Sequence, residues 1–113
     1  MKLRQKEFKS GVVLIEIEGN IMGGPDAMSL NDEVHKLVNG GTKKIIIDMK
    51  SVEHINSSGL GILIASLNAV RQVNGDLRIA NAGSRVLDLL NITKLNQIFE
   101  SYKSVDEAIK GLA

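Results

Sequence analysis

The 113-residue chain contains no cysteine, which removes disulfides, thiol nucleophiles and thiolate metal sites together and fits a reducing compartment. Aromatic residues are nearly absent too. Phe8, Phe99 and Tyr102 are the only three, so the core has to be aliphatic. No apolar run approaches the ~20 residues that span a bilayer, and the basic N-terminus MKLRQKEFKSG lacks the apolar stretch of a signal peptide. The expectation is a soluble, cytoplasmic protein with no membrane span. Net charge is only +1, and beyond Lys2, Arg4, Lys6 and Lys9 the basic residues are scattered among acids. There is then no stripe to follow a phosphate backbone, and nucleic acid is not an expected partner. Those four cations suit an exposed edge strand, where charge discourages edge-to-edge aggregation. A chain of this length buries roughly two thirds of the surface its unfolded form exposes, enough for one domain over residues 1–113.

What is present alternates between strand and helix signals. GVVLIEIEGN, residues 11–20, is β-branched and then alternates through Glu16 and Glu18; KLRQKEFK, turned at Ser10 and Gly11, is its hairpin partner. Pro25 suits the first residue of a helix in which Leu30, Val34, Leu37 and Val38 share one face until Asn39, Gly40 and Gly41 stop it. KKIIIDM, residues 43–49, is an unalternating apolar run, the mark of a central strand covered on both faces. A second helix follows from Ser57, with Leu60, Leu63, Ile64, Leu67 and Val70 in helical spacing up to Asn74 and Gly75, and DLRIAN, residues 76–81, is the next strand. Strand, helix, strand in this order is a βαβ unit with a right-handed crossover. Ser84 is predicted to cap RVLDLLNI, a last strand is expected around Gln97 to Phe99, and Ser104 with Glu107 forms a capping box for a final helix. The fold class is α/β, a small mixed β-sheet with four helices, an antiparallel N-terminal hairpin and parallel βαβ units. Met28, Met49 and the isoleucines are assigned to the core, Asp48 to a solvated or capping role, and His35 and His54 to the surface. Two histidines without a third ligand make no metal site.

The stretch HINSSGLGILIASL, residues 54–67, places two serines at a strand-to-helix junction, where functional groups collect in open α/β sheets. The plainest reading is that one serine caps the helix. A hydrolase elbow needs glycines two residues either side of the serine; Ser57 has Ile55 and Gly59 there, and Ser58 has Asn56 and Leu60, so the pattern fails for both. The GLG segment matches neither phosphate-loop pattern. A phosphoserine is the third reading. At a helix N-terminus a phosphate meets free amides and the positive end of the dipole, so the fold tolerates it while the surface changes charge.

From VVLIEIEGNI onward the chain resembles STAS domains of the anti-sigma-factor antagonist family, through the set SSGLG, NITKL, IFE and SVDEAI in the same order. The resemblance implies a protein without catalytic activity or cofactor. It would bind a GHKL-type serine kinase that doubles as an anti-sigma factor, be switched off by serine phosphorylation, and be reset by a PP2C-type phosphatase. The family's acceptor maps to Ser57, with Ser58 the secondary candidate. The partner surface would comprise Asn56, Ser57, Ser58, Gly59 and Leu60 with Met22 and Gly23 of the IMGG loop. Asn56 stands where the motif carries aspartate, and Met22, in GNIMGG, where an acidic residue often follows the family's G-E-[IL] segment. The alternative is an unphosphorylated STAS adaptor in a signalling assembly or beside a transporter.

Overall fold

The computed structural model describes residues 1–112, excepting the side chains of residues 25–27. In chain order the elements are β1 (Lys2–Glu7), β2 (Val12–Glu18), α1 (Pro25–Asn39), β3 (Lys44–Ser51), α2 (Ser57–Arg71), β4 (Asp76–Ala80), α3 (Ser84–Ile92), a 3-10 turn (Leu95–Gln97), β5 (Ser101–Tyr102) and α4 (Val105–Leu112). The sheet has the order β1-β2-β3-β4-β5. β1 pairs antiparallel with β2, and every later pairing is parallel. The expected hairpin, its edge position and the βαβ unit are all present. β3 starts one residue later than the apolar run and continues to Ser51.

The sheet has one heavily covered face. Alternate residues Ile15, Ile17, Ile45, Ile47, Met49, Leu77 and Ile79 point at α1, α2 and α3, where Leu30, Val34, Leu63, Leu67, Val70, Val86 and Leu90 meet them. The other face carries a smaller cluster of Val12, Leu14, Ile46 and Ala80 beneath Ala108 and Leu112 of α4. Because Ile45, Ile46 and Ile47 are all fully buried, β3 is covered on both sides, which is why its sequence does not alternate.

Three sequence expectations need correction. The last strand lies at Ser101–Tyr102, not around Gln97 to Phe99. Lys94 adopts a left-handed backbone and starts the 3-10 turn, and Phe99 goes fully into the larger core, so pairing with β4 begins only where Glu100 O accepts from Ile79 N. Burial of the largest apolar side chain outweighs strand continuation there. Ser84 is the first helical residue of α3, not its cap; extended Gly83 occupies the cap position, and no side chain caps this helix. Met28 and Ile92 are exposed, at 56% and 79%. Each sits two residues, or about 200° of helical turn, from a buried neighbour, Leu30 and Leu90, and therefore points the opposite way. Met49 is in the core as expected, and Ser104 Oγ accepts from Glu107 N at 3.1 Å as a capping serine should. Asp48 lies half-buried within β3 and accepts from Lys50 N and Asn81 Nδ2, both at 3.0 Å, bonds that join strand ends.

Candidate functional site

The connections leaving β2 and β3 run side by side at the carboxyl rim of the parallel strands. Their contact is made mainly by main-chain atoms. Ile21 N donates to His54 O at 3.0 Å, Asn56 N donates to Ile21 O at 3.3 Å, and Ile21 and Ile55 form an isolated parallel bridge. One side chain joins in: Asn20 Oδ1 accepts from the amides of Glu53 and His54, at 3.3 and 3.0 Å. Two glycines make the approach possible. A Cβ on Gly59 would run into the carbonyl oxygen of Ile21, and one on Gly23 into the Cβ of Ser58.

This stitching fixes the start of α2. Neither serine caps it; Asn56 does, in an extended backbone, with Oδ1 accepting from Gly59 N at 2.8 Å. Ser57 and Ser58 are then the first two helical residues, both exposed, and among the described residues neither hydroxyl has a hydrogen-bond partner. They occupy different flanks. Ser58 stands over Gly23, on the side of the β2–α1 connection. Ser57 falls on one line with Ile64 and Arg71, one and two heptads on, and Arg71 Nη2 donates to Ile98 O at 3.0 Å beyond α3.

Of the residues expected at the partner surface, Asn56, Ser57, Ser58 and Met22 are exposed and adjoin one another, and Gly23 lies half-buried among them. Met22, 46% exposed and next to Gly23, is a large apolar side chain open to solvent at this rim. Gly59 and Leu60 are buried, so they shape this surface from beneath and do not form it. Sequence reasoning missed Asn20, whose signal was an amide side chain just past a strand end, and it missed Asn56 as the cap, although asparagine before an apolar run is a start signal.

A groove of about 380 Å³ opens between the β3–α2 connection and the start of α3, lined by Lys50, Val52, Glu53, Gly83, Ser84 and Arg85. It continues past Glu53 and Arg85 to His54, whose Nε2 lies 3.1 Å from Arg85 Nη1. Both histidines are exposed. Among the described residues no cluster of acids and histidines is suited to a metal, and no helix is long and apolar enough to cross a membrane.

Residues 4–108 match the family model described as the STAS domain. The chain belongs to the STAS family. A Thermotoga neapolitana relative is 32% identical over 75 residues, which make up 66% of each chain. The anti-sigma-B factor antagonist of Bacillus subtilis is 30% identical over 88 residues, 75% of this chain and 80% of that one. The fold also matches the Bacillus cell fate determinant SpoIIAA in its phosphorylated form, with a TM-score of 0.76 at 15% identity, over 99% of this chain and all of the other. The mixed five-stranded sheet with four helices is thus a STAS fold, as the resemblance implied.

Proposed function

We propose that this chain is an anti-sigma factor antagonist whose partner surface is the α2 N-terminus with the β2–α1 connection, and whose switch is phosphorylation of Ser57. The observation that carries the reading is the division of labour at that rim. Asn56 does the capping, so Ser57 stands exposed with its hydroxyl uncommitted. A phosphate added there meets the amides and dipole of α2 and disturbs no hydrogen bond of the fold. The named relatives support the antagonist role, and a shared fold with a protein known in phosphorylated form supports the switch.

The partners this reading implies are a GHKL-type serine kinase acting as anti-sigma factor and a PP2C-type phosphatase, all in the cytoplasm, with this chain acting as a single, non-enzymatic STAS unit. Met22 gives the surface its apolar content and Ser57 its control. A phosphate at such an interface leaves charge to be desolvated, so affinity for the kinase falls by roughly a hundredfold or more. Incubation with the kinase and ATP, intact-mass spectrometry with site mapping, and calorimetric titration of variants test this. Expected are phosphate on Ser57, weakened binding by Ser57→Asp at unchanged thermal stability, and binding by Ser57→Ala that ATP does not release. Phosphate on Ser58, or on no residue, would overturn the Ser57 assignment, and the latter result would favour the unphosphorylated adaptor.

A further inference from the structure

We propose that Asn56 is a site of spontaneous deamidation, the residue at which the folded chain first loses side-chain ammonia and gains a negative charge beside Ser57. The chemistry is independent of any kinase. It needs a backbone amide free to attack the side-chain amide of the asparagine before it, and the fold leaves few such pairs. In the unfolded chain Asn39–Gly40 and Asn74–Gly75 are the reactive ones, because a glycine after asparagine puts no side chain in the way. Folding engages both. Gly40 N donates to Lys36 O and Leu37 O at 3.0 and 3.1 Å, and Gly75 N donates to Val70 O at 3.0 Å, so each must give up a hydrogen bond before it can attack. Ile21 N, after Asn20, is likewise held by His54 O. The Ser57 amide is different. As the first amide of α2 it has no carbonyl one turn back within the helix, and among the described residues it has no hydrogen-bond partner.

The side chain of Asn56 is also activated. Its Oδ1 accepts from Gly59 N at 2.8 Å at the positive end of α2, so a donor already stands where negative charge develops during attack. Asn81 lacks this help: its Nδ2 donates to Asp48 Oδ1 at 3.0 Å, and a carboxylate there opposes an oxyanion. In the reaction Ser57 N gives up its proton and bonds to Asn56 Cγ, the side-chain nitrogen leaves as ammonia with a proton restored to it, and a cyclic imide closes. Water reaches the exposed ring and opens it at either carbonyl, with no change of oxidation state. One product is aspartate, which still accepts from Gly59 N and adds a charge. The other is isoaspartate, which lengthens the main chain between the Ile21–Ile55 bridge and α2.

The test incubates the full chain at mildly alkaline pH, folded and in parallel in urea, and follows each asparagine by peptide mass spectrometry that separates aspartate from isoaspartate. Each event raises the peptide mass by about 1 Da. In the folded chain the Asn56 peptide should gain mass before those of Asn39 and Asn74, and in urea the order should reverse. Ser57→Pro removes the attacking N–H at a helix position that accepts proline, and Asn56, at φ −99° and ψ 179°, already has the extended backbone favoured before one. That variant should fold and its Asn56 peptide should keep its mass. The same order of reaction folded and in urea, an Asn56 peptide unchanged in the folded parent, or continued reaction at Asn56 in Ser57→Pro would overturn the proposal.

Discussion

At the carboxyl rim, the β2–α1 and β3–α2 connections are joined largely through main-chain atoms: Ile21 with His54 and Asn56, and Gly59 pressed against the Ile21 carbonyl. Under α4 the joining is done by side chains. Arg78 Nε donates to Asp76 Oδ2 at 2.7 Å, its Nη1 reaches Glu100 and Tyr102, and the Tyr102 hydroxyl donates to Glu100 at 3.0 Å. The difference matters for function. A junction built from backbone tolerates no added bulk at its contact points, yet its outward side chains are uncommitted and can change charge. A junction built from side chains has the opposite properties. Ser57, the serine proposed for modification, stands at the first kind of junction.

The sharpest way to break that contrast is Gly59→Ala. The added methyl meets a backbone carbonyl that cannot step aside without unzipping the Ile21 contacts, so a loss of about 2–3 kcal/mol is expected. Gly61, two residues on in the same helix, is exposed with open space at its Cβ position, and Gly61→Ala should stabilise by about 0.5–1 kcal/mol through helix propensity alone. Urea denaturation of both variants measures the difference. Equal effects would show that the rim is not held by backbone approach.

Arg78→Met probes the other region. Burial works against the Arg78 charge, but its hydrogen bonds to Asp76 and Tyr102 more than offset this and hold the guanidinium above its ordinary range. Removing it strands two carboxylates; because their side chains are 34% and 63% exposed, water replaces much of what is lost. The expected cost is about 1–2 kcal/mol, smaller than at Gly59, with faster amide exchange in α4. Binding of the proposed kinase should be unaffected, since the change lies away from the rim.

Strands β1 to β4 and helices α1 to α3 were legible from apolar patterning and turn residues, and α4 from its capping box. The β3 run IIIDM and the α2 series Leu60, Leu63, Leu67, Val70 are such apolar patterns. The last strand and the 3-10 turn before it were not legible. Phe99 carries a strand-like neighbourhood, but its side chain is claimed by a core assembled from distant elements, and Leu95–Gln97 turns to deliver it. The junction around Ser57 was visible as a place, through its residue types. Its construction was not, because Asn20, Ile21 and Gly23 become its neighbours only once β2 and β3 pair in register, more than thirty residues apart in sequence.

The smallest expected effects concern Asn56, and they sharpen the comparison most finely. Asn56→Ala removes the acceptor for Gly59 N and should cost about 1 kcal/mol. Asn56→Asp keeps the acceptor and places a negative charge at the positive end of α2, a gain of about 0.3–1 kcal/mol. The sign with pH follows from linkage. A carboxyl stabilised as its anion in the folded state titrates below its unfolded value, so the gain is present at neutral pH and is lost as acid protonates it. Thermal denaturation of the variant at neutral and acid pH checks both statements. If a phosphate on Ser57 is held by the α2 amides, the same substitution in the Ser57-phosphorylated chain should lose its gain, because the two anions then compete for one set of amides. A gain that survives phosphorylation would place the phosphate away from the amides of the α2 N-terminus.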